Sequence, residues 1–444
     1  MQPALARQVR PPRGFRDFPP EIMILRKKLI GRLERVFQSY GFDPIDTPAL
    51  EYWEVLAGKY GEEAENRLIW RFKDPWSGRE YALRYDLTVP LARFVATHRG
   101  IPLPFKRYHI APVWRHEEPQ KGRYREFYQC DADIVGSPYP EADAEIVNLT
   151  VDAIRALGFE EGFTIRLNDR RLLRGVFEEE LGLVNVIPVY RAIDKLDKIG
   201  RDGVRVELEK LGLSTSTVSK IMDIISITGT PGEVLSEVSR RYGGNRSVRE
   251  AVDHLEELVG LVRDVDRVKI DMSLVRGLDY YTGPILEVVL DRPRIGSVAG
   301  GGRYDNLIGL FLGESIPATG VSIGIERIID AGLELGIYSL SRKTVTSVQI
   351  IVLAKDRGVY LYAWRTADLL RSSGIATRID LGRTGHRVQR RKAQRAGIPV
   401  LLFVGEKEAA RGKVALYHAG CGKRLETSLD EAPVAVEKLL SECG

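Results

Sequence analysis

The feature that most constrains this chain lies between Phe105 and Gly136, where two strand-like runs, FKRYHIAPVWR and REFYQCDADIVG, flank the polar segment HEEPQKGRY. The proline and glycine of that segment suit a long hairpin loop, so the two runs are expected to pair antiparallel. Side chains alternate between faces along a strand, which puts Gln129, Asp131 and Asp133 on one face and Tyr128, Cys130, Ala132 and Ile134 on the other. An amide and two carboxylates in a row line either a polar pocket or a half-solvated sheet edge. If the hairpin pairs in register, Arg115 comes near the same floor, and a cation beside acceptors fits a zwitterionic ligand.

Upstream, Leu25, Leu29, Leu33, Val36, Phe37 and Tyr40 recur at helical spacing, so Glu21 to Tyr40 is expected to be a long amphipathic helix. Gly41 and Pro44 stop it. The stretch IDTPALE follows as extended chain, where Pro48 suits an edge or interface strand. Helix and strand together offer a dimerisation surface. From about Asn185 to Asp266 charged, helix-like segments such as DKLDKIGRDGVRVELEKLG indicate a helical insertion. Strand signals return at PILEVVL and SVAGGGRYD, and TGVSIGIERIIDAG reads as a strand running into a helix. After Ser341 strands and helices alternate, the pattern of a separate small α/β domain.

At 444 residues the chain exceeds what one hydrophobic core usually serves. The expected organisation is a core in two parts, 1–184 and 269–340, interrupted by the insertion at 185–268 and followed by a domain at 345–444. With 44% hydrophobic and 29% charged residues, disordered and fibrous classes are excluded. No run of eighteen apolar residues and no apolar leader at the start mark a membrane or secreted protein, so the reading is cytoplasmic. The three cysteines, Cys130, Cys421 and Cys443, are odd in number and lack C-x-x-C spacing, which points to buried or idle thiols rather than a disulfide or zinc framework. The six histidines are scattered, so no protein metal site is expected.

Three further stretches carry candidate chemistry. RGLDYYTG, Arg276 to Gly283, packs an arginine, an aspartate and two tyrosines between glycines, although Tyr280 and Tyr281 also suit half-buried sheet positions. In GSVAGGGRYD three consecutive glycines let backbone approach a ligand or bend a strand. The familiar glycine-rich phosphate cradles are missing, so any ATP is held differently. Arg383, Arg387, Arg390, Arg391, Lys392 and Arg395 form a basic stretch without an acidic residue, either a phosphate-neutralising or a solvated helix face. The net charge of +5 permits nucleic-acid binding without demanding it.

With these motifs in order, the chain resembles class II aminoacyl-tRNA synthetases, and among them the histidyl-tRNA synthetases over nearly its full length. The helix with IDTPALE looks like the first class II motif, VWRHEEPQKGRYREF like the second, and GVSIGIERI like the third. LRYDLTVPLARF, RYREFYQCDADIVG, LVRGLDYYTG and GGGRYDNLIG look like the histidine-specific signatures. The short aspartate of LRYDLT resembles the archaeal and eukaryotic branch, and HEEPQKGR the bacterial and archaeal form, so an archaeal-like enzyme satisfies both.

The resemblance implies an α+β fold: an antiparallel sheet core with flanking helices, a helical insertion and a C-terminal α/β anticodon-binding domain. It implies that Asp86, Leu87 and Thr88 with Gln129 hold the α-amino group of histidine. Asp133 and Tyr281, with Tyr280 beside them, would read the imidazole. By resemblance Arg115 binds the α-phosphate of ATP, Arg276 touches that phosphate and the histidine carboxylate, and Arg327 grips the γ-phosphate. Mg²⁺ would accompany ATP, held mainly by its phosphates. Gln120 and Arg123 would approach the acceptor end of tRNA(His), and Arg387, Arg390 and Arg391 would contact RNA in the last domain. A homodimer is implied. A related regulatory subunit of ATP phosphoribosyltransferase typically lacks that last domain, which this chain keeps.

Overall fold

The computed structural model describes residues 9–275, 280–341 and 343–443, apart from the side chains of Glu62 and Glu63. Two compact units emerge, with Lys28–Tyr338 the bulk of one and Ser339–Gly444 the bulk of the other. Among the described residues no helix is long and apolar enough to cross a membrane.

Helix α1, Pro20–Ser39, opens on a proline whose fixed φ suits the first helical position. Leu29, Leu33 and Phe37 are fully buried along one stripe, and Gly41 turns the chain away at φ +76°. The segment after it is less regular than IDTPALE suggested: strand β1 is only Asp43–Pro44 and β2 is Leu50–Tyr52, with Pro48 between them in neither. Strands β3, Arg71–Lys73, and β4, Glu80–Leu83, complete a small sheet ordered β2-β4-β3.

The main sheet adds β5, Phe105–Trp114, β6, Glu126–Val135, β7, Phe163–Asp169, β8, Val268–Ile270, β9, Pro284–Leu290, β10, Ser297–Arg303, and β11, Ala318–Gly324. Its order is β1-β5-β6-β11-β10-β9-β7-β8, antiparallel except where β1 joins β5 and β8 joins β7. Strand β6 thus lies inside the sheet, third of its eight strands, and its last seven residues are buried. Helix α2, Thr88–Thr97, lies between β4 and β5 in sequence. Helix α3, Pro140–Ala156, packs against β6 and β11, and α4, Ile325–Glu334, follows β11 directly and also packs on β6.

Between β7 and β8 the chain is helical, with five helices from Ile187 to Gly260. The last, Arg246–Gly260, is tied to the sheet through charge. His254 Nε2 lies 2.7 Å from the buried Asp143 carboxylate, which also accepts Arg303 Nε at 3.0 Å and Nη2 at 2.8 Å. Arg303, next to the three glycines, therefore has a fastening role that composition gave no hint of.

The smaller unit holds β12, Val348–Val352, β13, Thr377–Ile379, β14, Val400–Val404, β15, Lys413–His418, and β16, Arg424–Ser428, in the order β13-β12-β14-β15-β16. Helices α5, Arg357–Ser372, α6, His386–Ala396, and α7, Ala432–Cys443, accompany it. Here the sequence reading of idle thiols is corrected, because Cys421 and Cys443 form a disulfide across 22 residues. Spacing could not reveal it: folding alone brings the β15–β16 turn to the end of α7. The pair lies beside His418, and Cys130 is buried in β6, outside the disulfide.

Candidate functional site

Strands β6, β9, β10 and β11 line a pocket of about 390 Å³ in the larger unit, with β5 flanking β6 on the other side. Register decides what faces it. Arg107, His109 and Ala111 on β5 pair with Asp133, Asp131 and Gln129 on β6. On the other side Gly320, Ser322 and Gly324 of β11 pair with the same three residues. Gln129, Asp131 and Asp133 are all buried and all line the pocket, so the polar-pocket alternative holds and the solvated-edge one does not.

Each acceptor has its own surroundings. Asp133 accepts the Tyr304 hydroxyl and forms an ion pair with the fully buried Arg107 at 2.8 Å. Burial raises its carboxyl above the usual range, with Arg107 and the Tyr304 hydroxyl pulling the other way. Asp131 is pushed up to about 8, first by burial, then opposed by Arg107 and reinforced by Asp133. Gln129 donates its amide to Ser322 Oγ at 2.6 Å. His109, behind Asp131, is driven down to about 3 by burial and by Arg107 and Arg84, so it is neutral.

Asp86 sits just before α2 and accepts the Val89 amide at 3.1 Å in its first turn. It also accepts Tyr60 Oη at 2.7 Å and Tyr280 Oη at 3.0 Å. Burial raises it as well, and these donors oppose the rise. Thr88 and Tyr281 line the pocket beside it. Leu87 does not: its side chain is buried with Ala111 and Val113, and its carbonyl accepts Arg107 Nη2 at 3.2 Å.

Away from Asp133, beyond the Gln129 end of β6, the lining turns cationic. Arg115 follows β5, donates Nε to the Tyr85 carbonyl at 3.1 Å, and stacks 4.4 Å from the Tyr85 ring and 5.2 Å from that of Phe127. Burial works against its charge, and Tyr85, Glu117 and Asp86 outweigh that, so its pKa lies above the usual arginine value. Arg327 donates to the Gly122 carbonyl at 2.8 Å and to the Ser297 carbonyl, which joins α4 to the hairpin loop. In that loop Gln120 and Arg123 exchange backbone hydrogen bonds around Gly122, and Arg123 reaches the pocket while Gln120 does not. Arg276 lies outside the described residues.

Sequence reasoning missed Tyr60, Tyr304 and Arg107, which hold the pocket carboxylates. Tyr304 stood next to a noted glycine run, and Arg107 needed only the hairpin register. Tyr60 had no motif around it.

In the smaller unit α6 turns Gln389 and Ala393 inward. The Gln389 carboxamide accepts the Val352 amide at 2.9 Å and donates to the Thr384 carbonyl at 2.6 Å. That fixes the helix with Arg387, Arg390 and Arg391 exposed.

A family profile described as Histidyl-tRNA synthetase matches residues 14–328, and one described as Anticodon binding domain matches 347–439. The chain belongs to the histidyl-tRNA synthetase family. A histidine–tRNA ligase of Aeropyrum pernix is 72% identical over 431 residues, covering 97% of this chain and 98% of that one. The corresponding ligase of Korarchaeum cryptofilum is 57% identical over 417 residues, covering 94% and 96%. The crystal structure of histidyl-tRNA synthetase from Nostoc sp. PCC 7120 superposes with a TM-score of 0.83 at 31% identity, covering 98% of this chain and 99% of that one. The synthetase is therefore an archaeal-like histidine–tRNA ligase of class II with an α+β catalytic core and an anticodon-binding domain. Its substrates are ATP, an amino acid and tRNA.

Proposed function

We propose that the pocket along β6 holds histidine with its ring toward Asp133 and its carboxylate toward Arg115, and that ATP occupies the arginine-lined end. The observation that carries this is the row Gln129, Asp131, Asp133 in one buried pocket with Arg115 and Arg327 beyond it. A neutral imidazole offers one donor and one acceptor on different edges. Asp133 takes the donor, and the Tyr281 hydroxyl satisfies the acceptor. A side chain without that donor leaves Asp133 buried and unpaired, which is what rejects it. Asp86, Thr88 and Gln129 surround the α-amino group, with Tyr280 holding Asp86 and Leu87 contributing through its backbone.

In the first step a histidine carboxylate oxygen attacks the α-phosphorus, a new P–O bond forms, and the bond to the β-phosphate oxygen breaks to release pyrophosphate. Negative charge accumulates on the α-phosphate oxygens, and Arg115 and Arg276 offset it with the planar fork that matches phosphate. Arg327 holds the γ-phosphate. In the second step a hydroxyl of the terminal tRNA ribose attacks the carbonyl carbon, gives up its proton, and AMP leaves. Mg²⁺ would be held by the ATP phosphates, with the lining carboxylates Glu287 and Glu326 offering the oxygen donors a hard cation takes. It supplies charge neutralisation on the phosphates.

Gln120 and Arg123 meet the acceptor end of tRNA(His), and Arg387, Arg390 and Arg391 contact its backbone. The enzyme works in the cytoplasm as a homodimer. The test is amino-acid-dependent exchange of pyrophosphate into ATP with each of the twenty amino acids, on the parent and on Arg276→Ala. Exchange with histidine alone, abolished by the substitution, is expected. Histidine binding without exchange would overturn the reading.

A further inference from the structure

The smaller unit carries a cluster of metal-ligating side chains that neither amino-acid activation nor RNA contact employs. His418 ends β15, Cys421 lies in the turn to β16, and Cys443 ends α7. One ligand atom from each, an imidazole nitrogen and two sulfurs, lies within 4.8 Å of the other two.

The turn is built for close approach. His418-Ala419-Gly420-Cys421 keeps two residues between its two ligands, the gap that tight zinc-binding turns use. With histidine in the first place, it lacks the paired cysteines that mark such sites in a sequence. The His418 N–H meets the Lys423 carbonyl at 3.0 Å, the Gly422 N–H meets the His418 carbonyl at 2.9 Å, and Gly422 takes φ +74°, which glycine adopts at no steric cost. The His418 ring is buried, and its Nδ1 accepts the N–H groups of Gly420 and Cys421, each at 3.2 Å. Nδ1 therefore holds the lone pair and aims it into the turn that carries Cys421. A disulfide has no use for that lone pair, whereas a metal does.

Cys421 and Cys443 are joined as a disulfide, with Cα atoms 5.9 Å apart. Bonded sulfurs do not ligate, and thiolates do. Reduction delivers two electrons and two protons from a dithiol, which itself closes to a disulfide, and leaves two thiols. The turn and the helix end stay close without the S–S bond: Val436 and Leu439 of α7 share a core with Val414 and Leu416 of β15, and Lys423 pairs with Glu442. Tetrahedral zinc, with bonds of about 2.3 Å to sulfur and about 2.0–2.1 Å to nitrogen, sets its ligand atoms roughly 3.5–3.8 Å apart, so the three groups need shifts of about 1–2 Å. Zinc displaces both thiol protons, and two thiolates with a neutral imidazole balance its charge. Cys421 is exposed, which leaves the fourth position to water. Thiolate and imidazole together select zinc over the hard cations that carboxylates hold.

We propose that His418, Cys421 and Cys443 form a zinc site once the disulfide is reduced. The end of α7 is then clasped to the β15–β16 turn by a covalent bond under oxidising conditions and by zinc under reducing ones.

The test uses the full chain, treated anaerobically with a phosphine, which reduces the disulfide as it takes up oxygen from water, and then freed of metal. Zinc is titrated in competition with a chromophoric chelator. The reduced chain is expected to bind one zinc ion at least about a hundredfold more tightly than the oxidised chain, and reduced Cys443→Ser to bind it no better than the oxidised chain. Reduced His418→Ala should lose about tenfold or more. Zinc should raise the unfolding temperature of the smaller unit in the reduced chain and leave the oxidised chain unmoved. X-ray absorption on the reduced parent needs no variant, and should show two sulfurs and one imidazole nitrogen around the metal. Equal zinc affinity of the reduced and oxidised chains would overturn the proposal. So would a zinc shell without imidazole, or unchanged affinity in a folded His418→Ala.

Discussion

Replacing Gly320 with alanine tests how tightly the ring end of the pocket is drawn. Gly320 sits opposite Asp133 across the β6–β11 pair, and a Cβ there would lie 2.0 Å from Asp133 Oδ1 and 2.8 Å from the Ala132 carbonyl. Ordinary contact begins near 3.4 Å, so the carboxylate must retreat by 3.4 − 2.0 = 1.4 Å or the strands must part. Either movement pulls Asp133 away from the Tyr304 hydroxyl and from Arg107. A displacement on the order of 1 Å of a positioned group costs about a hundredfold in rate, equivalent to about 2.7 kcal/mol of transition-state binding. Gly320→Ala is thus expected to lower kcat/KM for histidine about a hundredfold in pyrophosphate exchange, mostly through a higher KM for histidine, with the KM for ATP within about twofold of the parent. Thermal unfolding checks that the variant is folded. A folded variant with the parent KM for histidine would refute the argument, since Asp133 could then not be both displaced and the ring's partner.

Other consequences are as direct. Tyr60→Phe removes a donor from buried Asp86 and should cost about 1.5–3 kcal/mol, seen as lower thermal stability together with weaker histidine binding. Because the folded pKa of Asp131, pushed up by burial to about 8, lies above the ordinary aspartate value of 3.8, its contribution to stability is fully present below the unfolded value and is lost as pH rises through about 8. Asp131→Asn should therefore gain stability relative to the ligand-free parent between pH 5.5 and 8.5, measured by thermal unfolding at both. Cys443→Ser opens the 22-residue link and should destabilise the smaller unit by about 3 kcal/mol, with the parent in excess dithiol matching the variant in calorimetry. The triple substitution of Arg387, Arg390 and Arg391 by alanine should raise the KM for tRNA and reduce the salt slope of tRNA binding by about 2, while leaving pyrophosphate exchange unchanged.

Much of the site could be read from alternation alone, because a strand with period two leaves no freedom in which residues share a face. That is why Gln129, Asp131 and Asp133 were legible as a group, and why the run into Ile325–Glu334 could be seen as strand then helix. What remained hidden depends on pairing between distant segments. Arg107 meets Asp133 only through the hairpin register, and Tyr60 reaches Asp86 from 26 positions upstream. Cys421 and Cys443 meet because a turn and a helix end converge, which no local spacing encodes. Leu87 shared a motif with two pocket residues, yet its side chain points into the core. Of IDTPALE only Leu50 and Glu51 enter a strand, the short β2, since the proline within it donates no ladder hydrogen bond.

The floor beside Asp133 has an evolutionary consequence. Gly320 and Gly301 lie against each other on neighbouring strands, so close that a Cβ on Gly301 would come within 2.1 Å of the Gly320 carbonyl. Here the boundary of the pocket is main chain, and main chain cannot be truncated. Point mutation can make this wall intrude, but it cannot make it recede. A lineage selected to accept a bulkier amino acid would have to find its room on the aromatic side, at Tyr281 or Tyr304, and changing Tyr304 would loosen Asp133, the carboxylate proposed to read the ring.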